Sequence, residues 1–252
     1  MSFDVAADAY DRFMGRYSAP LSLPFADLAG VEVGQRVLDV GCGPGALTAE
    51  LVRRLGAAEV SAVDPSEPFV AAAKERHPGV DVRRAPAEDL PFGDDVFDAA
   101  LAQLVVHFMS DPVAGLREAG RVTRPGGLVA ACVWDQAEDL GPLGVFWRAA
   151  RELDPAVTDE SRSAGGREGH LGELLRAAGL RQIEDGSLSV SVESPSFEEW
   201  WEPYTLGVGP AGVYVAGLDP QRQAELRERC RELLPDGPFV ATARAWSARG
   251  RA

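Results

Sequence analysis

Gly41-Cys42-Gly43-Pro44-Gly45 follows directly on an apolar segment, Arg36-Val37-Leu38-Asp39-Val40, and precedes Leu47, Leu51 and Leu55 at helical spacing. Glycine at a strand-to-helix turn lets the backbone approach a ligand, and the first turn of the helix offers unpaired N–H groups to it. Asp64 stands 19 residues beyond Gly45, at the end of the next apolar segment. A carboxylate there can accept both hydroxyls of a ribose. Together these residues predict a nucleoside site.

Two kinds of nucleoside ligand compete for it. Gly41-Cys-Gly43-Pro-Gly45-Ala46 satisfies the dinucleotide pattern literally, and a nicotinamide or flavin dinucleotide would dock its pyrophosphate on the helix N-terminus. Asp39, two residues before the first glycine, puts negative charge beside that site. S-adenosylmethionine has no phosphate and carries a sulfonium and an ammonium, both of which a carboxylate attracts. Asp39 discriminates between the two in favour of S-adenosylmethionine.

The elements that must position these residues alternate along the chain. Residues 4–30 read as helical, with Pro20 breaking the run. Strands are expected at 36–40, 59–63, 80–84, 96–102 and 128–133, and helices at 46–56, 67–76 (Ser66 as its N-cap) and 113–122, with a turn at 124–127. Strands alternating with helices at this spacing mean βαβ units and a parallel sheet. After Trp134 the rhythm loosens: a helical piece at 142–153, a helix at 170–178, a long strand at 181–193, an aromatic cluster at 197–204, a Gly-rich stretch at 205–218, a helix at 219–234 and a final strand at 239–246.

Composition removes several classes of function. The chain has 252 residues and a net charge of −14, and of its 25 basic residues only Lys74 is a lysine. Such a surface repels phosphate backbones, so no nucleic-acid partner is expected. No Gly-Lys-Ser/Thr occurs, which removes a P-loop. Three His (His77, His107, His170) and three Cys (Cys42, Cys132, Cys230), widely spaced, offer no zinc pair or disulfide framework, so no metal is expected. Met1 to Tyr10 carries no basic residue, unlike a signal peptide, and no apolar run approaches a membrane span. These readings place the protein in the cytoplasm, as a monomer or homodimer acting on a small molecule.

At this point the sequence resembles a family. Val37-Leu-Asp-Val-Gly-Cys-Gly-Pro-Gly45 looks like motif I of the class I S-adenosylmethionine-dependent methyltransferases. The likeness continues, in the family's order, through Ala62-Val-Asp-Pro-Ser66, Ala87-Glu-Asp-Leu-Pro-Phe92, Phe97-Asp98 and Arg121-Val-Thr-Arg-Pro-Gly-Gly127, over roughly 36–134. It is weaker at Tyr10-Asp-Arg-Phe-Met-Gly-Arg-Tyr17. The nearest flavour is the small-molecule branch related to ubiquinone/menaquinone-biosynthesis C-methyltransferases.

The resemblance implies an α/β, Rossmann-like doubly wound fold: a mostly parallel seven-stranded sheet with the last strand antiparallel, helices on both faces, and a variable helical lid. It implies one methyltransferase domain over 1–252, with a lid at 1–30, a cofactor-binding core at 31–134, a lid and acceptor region at 135–218, and a closing helix and strand at 219–252. It also assigns roles. Gly41, Cys42 and Gly43 would line the methionine moiety and Asp39 would steer its ammonium. Asp64 would take the ribose diol and Pro65 would pack on the adenine. Ala87 and Glu88 would sit at the adenine edge, although Pro86 stands where many relatives carry an Asp. The carbonyl of Gln103 would accept from the ammonium, Arg16 would pair with the methionine carboxylate, and Tyr10 would close over it.

The reaction implied is transfer of the S-adenosylmethionine methyl group to an O, N or C nucleophile, leaving S-adenosylhomocysteine. His107, beyond the fourth strand, is the candidate general base, against a plain packing role. His77, at a helix end, reads as structural, and His170 as a cap for the helix after it. Cys42 reads as a small residue rather than a nucleophile. Phe146, Trp147, Trp200, Trp201 and Tyr204 lie where the acceptor lid would be built and suit a flat, apolar acceptor; core packing is the competing role. The alternatives to a methyltransferase are a non-catalytic S-adenosylmethionine-binding protein and a NAD-dependent oxidoreductase.

Overall fold

The computed structural model describes residues 7–252. The start of the expected first helix, and most of the Met1–Tyr10 stretch read against a signal peptide, lie outside the described residues. The strands are β1 (Val37–Val40), β2 (Val60–Asp64), β3 (Asp81–Arg84), β4 (Phe97–Gln103), β5 (Thr123–Trp134), β6 (Arg181–Ser194) and β7 (Phe239–Arg251). They form one seven-stranded sheet in the order β3-β2-β1-β4-β5-β7-β6. β3, β2, β1, β4 and β5 run parallel to one another, and β7 runs antiparallel between β5 and β6. The fold is therefore the Rossmann-like one expected, with the last strand reversed.

Central strands covered on both faces carry apolar residues in both phases. Ala100 and Ala102 of β4, with Val129, Ala131 and Val133 of β5, pack beneath α5 (Pro112–Val122) and α7 (His170–Ala177). Ala99, Leu101, Ala130 and Cys132 face the other way, onto Leu21 and Phe25 of α2 (Arg16–Leu28) and Leu47 and Leu51 of α3 (Ala46–Leu55). α4 (Glu67–Arg76) follows β2 over the interval expected. Arg124–Gly127, expected as a turn, is carried inside β5 as an irregularity between the Phe97↔Thr123 and Ala99↔Leu128 pairings.

The N-terminal segment departs from the expected break. After one turn, α1 (Ala7–Tyr10), comes a five-residue π-helical turn at Asp11–Gly15, and α2 then runs straight through Pro20 and Pro24. Proline interrupts a helix by removing a donor and crowding the preceding carbonyl. Pro20 lies on the exposed face, and the opposite face buries Tyr17, Leu21 and Phe25, whose packing holds the helix together. Within the Gly-rich stretch, Gly209–Gly217 forms a helix, α9.

A second apolar cluster stands beside the sheet. It is built by α6 (Gly144–Leu153), α8 (Phe197–Trp201), α9 and α10 (Pro220–Glu232). Phe146, Trp147, Trp200, Trp201 and Tyr204 are all buried in it, with Phe146 stacked on Tyr204 at 4.7 Å. Packing is what these five aromatic side chains do. No helix among the described residues is long and apolar enough to cross a membrane.

One ion pair ties this cluster's approach to the sheet. Asp135, wholly buried just past β5, accepts from Nε of Arg244 on β7 at 2.8 Å and from the amide of Glu138 at 3.1 Å. The Arg244 guanidinium also lies 4.4 Å from the Trp246 ring centroid. Removing one partner of a buried pair strands the other charge, so Arg244→Leu should cost about 3–5 kcal/mol of stability in urea unfolding. A loss under about 1 kcal/mol would mean that Asp135 is hydrated without its partner.

Candidate active site

The sheet order reverses direction between β1 and β4, and ligands in open α/β sheets bind outside the strand ends at such a point. A cleft of about 670 Å³ opens there, lined by Asp39, Gly41, Cys42, Gly43, Asp64 and Gln103 among others. That volume lies within the usual range for small-molecule sites.

The glycine loop is anchored from below and behind. Gly41 and Cys42 both donate to the carbonyl of Val63, at 2.8 and 2.9 Å, which fastens the loop to the end of β2. Gly41 has φ +73°, and a Cβ there would lie 2.3 Å from a Val105 methyl. Gly45, at φ +103°, faces the ring of His77, whose Nε2 donates to the Gly45 carbonyl at 3.0 Å. His77 thus has the structural role expected, as a strut from the end of α4 to the loop. His170 differs from expectation: it is the first residue of α7, and its Nδ1 accepts from the amide of Gly165.

Two carboxylates are buried around this loop. Asp64 accepts from the amides of Gly43 (2.9 Å) and Ser66 (2.8 Å), which couples the end of β2 to the loop. Burial raises its carboxyl above the ordinary value, against the lowering effect of those two amides. Asp39 is more deeply set. Its Oδ2 accepts from the Thr48 hydroxyl at 2.6 Å, and its Oδ1 is buried with no partner among the described residues. Burial, offset in part by Thr48 and reinforced by the charge of Asp64, pushes its carboxyl up to about 7. An unpaired buried carboxylate oxygen is costly, and a cationic group arriving in the cleft would relieve that cost. Burial, followed by Asp39 and Asp64, also raises the Cys42 thiol well above its normal value, so a thiolate nucleophile is disfavoured there.

The other candidates divide. Tyr10 and Pro65 line the cleft, with Tyr10 edge-on to Phe69 at 5.3 Å. Gln103 lines it too, but its side-chain amide donates to the Ser18 carbonyl and the Ser22 hydroxyl, both at 3.0 Å, docking α2 on the strand end. Its Oε1 is buried without a partner.

Arg16, Ala87 and Glu88 are not among the lining residues. Arg16 points away, donating to the carbonyls of Glu199 and Trp200, the open end of a helix that attracts a guanidinium. Glu88 accepts from the amides of Ser110 and Asp111 at 2.7 and 3.2 Å, fixing the entry to α5. Ala87 is buried in the core beneath that helix.

His107 lies on a short 3₁₀ turn, Val106–Phe108, beside a second, smaller pocket that shares Tyr10, Leu104 and Phe108 with the cleft. The residue as a whole is half-buried, but its Nδ1 is shut away from solvent and has no partner among the described residues. Burial alone pulls the imidazole down to about 3. It is therefore neutral near pH 7 and a weak proton acceptor, better suited to accepting a hydrogen bond than to holding a proton. Sequence reasoning missed Leu104, which turns at φ +61° between β4 and His107. A left-handed leucine is unfavourable and collects at functional sites, but nothing in its side-chain chemistry signals it. Phe69 and Phe108 were missed as well, being ordinary apolar positions in sequence.

The buried state of Asp39 has a thermodynamic consequence. Its folded value of about 7 lies above the unfolded one, so the folded chain holds this proton more tightly. Stability from this group is complete below about pH 4 and is lost as pH rises towards 7. Asp39→Asn removes the charge, so the ligand-free variant should exceed the parent in stability at pH 8 by a few kcal/mol, on the order of the shift, and match it near pH 4. Urea midpoints at the two pH values check this; a variant less stable than the parent at pH 8 would contradict it.

Comparison with known proteins gives this geometry a family. The family model described as a methyltransferase domain matches residues 38–131. The chain is 36% identical over 256 residues to a malonyl-[acyl-carrier protein] O-methyltransferase of Halorhodospira halophila, covering 96% of this chain and 82% of the relative. It is 30% identical over 199 residues to a demethylmenaquinone methyltransferase of Clavibacter sepedonicus, covering 73% and 77%. In six other curated methyltransferases the match spans between 31% and 65% of their own length. Among solved structures, the fold is shared with phospholethanolamine N-methyltransferase 2 of Haemonchus contortus, in complex with S-adenosylhomocysteine, at TM-score 0.58 and 19% identity over 100% of this chain and 60% of that one. Motif order, sheet topology and the two long alignments agree, and the chain belongs to the class I S-adenosylmethionine-dependent methyltransferase family.

Proposed function

We propose that the protein transfers the methyl group of S-adenosylmethionine to a small-molecule acceptor. The observation that carries this reading is the buried, unpartnered Oδ1 of Asp39 beside the glycine loop. A carboxylate in that position suits an ammonium and opposes a pyrophosphate. The cofactor, when bound, supplies a methyl group already activated on a sulfonium.

The chain's own groups then bind and orient. Asp39 takes the ammonium, with Gln103 Oε1 as a further buried acceptor within the same cleft. Asp64 keeps lone pairs beyond its two amide bonds for the ribose hydroxyls. Gly41, Cys42 and Gly43 present backbone to the amino-acid part, and Pro65 and Phe69 offer apolar surface to the base. Tyr10 closes the mouth from the N-terminal segment, which serves as the lid, while the region 135–218 supports the acceptor. His107, neutral, orients the acceptor by accepting a hydrogen bond. In-line positioning supplies most of the acceleration when the leaving group is this reactive. In this reading the enzyme works in the cytoplasm on a small molecule, with no nucleic-acid partner.

Calorimetry tests it. S-adenosylhomocysteine should bind the intact chain and NAD should not; the reverse order would overturn the reading. Asp64→Ala should weaken S-adenosylhomocysteine by about 10- to 100-fold, the worth of charge-assisted bonds to a hydroxyl pair. An unchanged affinity would leave Asp64 as a loop anchor only.

A further inference from the structure

The smaller pocket behind the cleft is mostly apolar, walled by Phe13, Met14, Leu104, Phe108, Leu143 and Val208. Five polar side chains interrupt that wall: Tyr10, His107, Trp134, Gln136 and Glu160. Three of them carry a buried polar atom with no partner among the described residues: His107 Nδ1, Trp134 Nε1 and Gln136 Oε1. Buried polar atoms are paired in the great majority of cases, so three orphans beside one pocket call for a ligand that satisfies them. Glu160 is buried as well. Its Oε2 accepts from the Trp147 indole N–H at 3.0 Å and its Oε1 from the Gln136 amide at 3.4 Å. Both bonds come from N–H donors, so Glu160 is held as an acceptor, and the Gln136 carbonyl oxygen is left free by the same arrangement.

Two of these orphans, together with Glu160, make a specific demand. Gln136 Oε1 lacks a donated hydrogen and Trp134 Nε1 lacks an acceptor, while the Glu160 carboxylate, already bonded by Trp147 and Gln136, has lone pairs for a further donor. A hydroxyl does both. A carboxylate meets the charge of Glu160, and among the described residues no Lys or Arg lines the pocket to offset it. An ether oxygen donates nothing.

We propose, resting on the methyl-transfer reading, that Gln136 and Glu160 are specificity-determining residues that select a compact, uncharged, hydroxyl-bearing acceptor and reject carboxylates. The acceptor's apolar body lies against Phe13, Met14 and Phe108, and its hydroxyl end reaches the Trp134–Gln136–Glu160 corner. The pocket measures about 40 Å³, whereas a cavity that takes up benzene is about 150 Å³. A ring therefore enters by displacing a wall. The segment Ala7–Gly15, which sends Phe13 into the aromatic cluster, is tied on its outer side by surface ion pairs, Arg76 to Asp11 and Arg12 to Glu202, both at 2.7 Å, and such pairs are weak.

The test uses the intact chain saturated with S-adenosylhomocysteine and three single-ring probes, phenol, anisole and benzoate, with dissociation constants from ligand-observed NMR. Phenol should bind at least about tenfold more tightly than anisole or benzoate, the loss expected when buried polar groups go unpaired. In Gln136→Leu and Glu160→Leu the preference should fall to within about twofold, with S-adenosylhomocysteine affinity as the check that each variant is folded. Benzoate or anisole binding as tightly as phenol, no binding of any probe, or a preference that survives in both variants would each overturn the assignment. Failure of the parent chain to bind S-adenosylhomocysteine would instead overturn the methyl-transfer reading on which it rests.

Discussion

Asp39 places a buried carboxylate near the C-terminal end of β1, with the Thr48 hydroxyl on one oxygen and, among the described residues, no partner for the other. Holding a charge there is unfavourable, and the surrounding architecture is what makes it tolerable. β1 is flanked by β2 and β4 in parallel register, so the strand cannot shift to carry the side chain out to solvent. The loop that follows is fastened to Val63 by two amides and braced by His77. Asp64 is tied into the same loop through Gly43. The site is therefore a rigid pocket with unmatched negative charge, which suits a cationic nucleoside and disfavours a phosphate-bearing one.

The rest of the chain is arranged around that pocket at two levels of firmness. The sheet and its helices are continuous apolar cores on both faces. The neighbouring aromatic cluster is buried as well, and the Asp135–Arg244 pair fastens the end of β5 to β7. Between these two bodies lie the smaller pocket and the N-terminal segment, where a π-helical turn carries Phe13 into the aromatic cluster and exposed ion pairs hold the outer side. π-Helical turns occur disproportionately at functional sites.

The parts of this arrangement visible in the sequence were those set by local chemistry. Gly41, Gly43 and Gly45 between a strand and a helix, with Asp39 and Asp64 at strand ends, were legible because turn geometry and period determine them. Helix α4 was legible for the same reason. What escaped was decided by distant partners. Arg16 looks like a free cation in sequence, yet it meets the carbonyl end of a helix more than 180 residues away. Glu88 looks like a ligand for a base, but two amides at the start of α5 claim it. Pro20 reads as a break, but the packing of Tyr17, Leu21 and Phe25 outweighs it. His107 reads as a base, and only its burial shows that a proton is disfavoured there. Gln136 and Glu160 carried no signal at all, because they lie in two separate irregular segments, after β5 and between α6 and α7, that only the fold brings together.

The most direct test is the proton balance of binding. Asp39, at about 7 in the free protein, is largely protonated at pH 6, whereas an α-ammonium is already charged there. Titrating S-adenosylhomocysteine into the protein by calorimetry, in buffers of different ionisation enthalpy, counts the protons exchanged. The account predicts release of about one proton per ligand at pH 6, falling towards none at pH 8 and absent in Asp39→Asn. Binding without proton release at pH 6, or with the same release in Asp39→Asn, would contradict it.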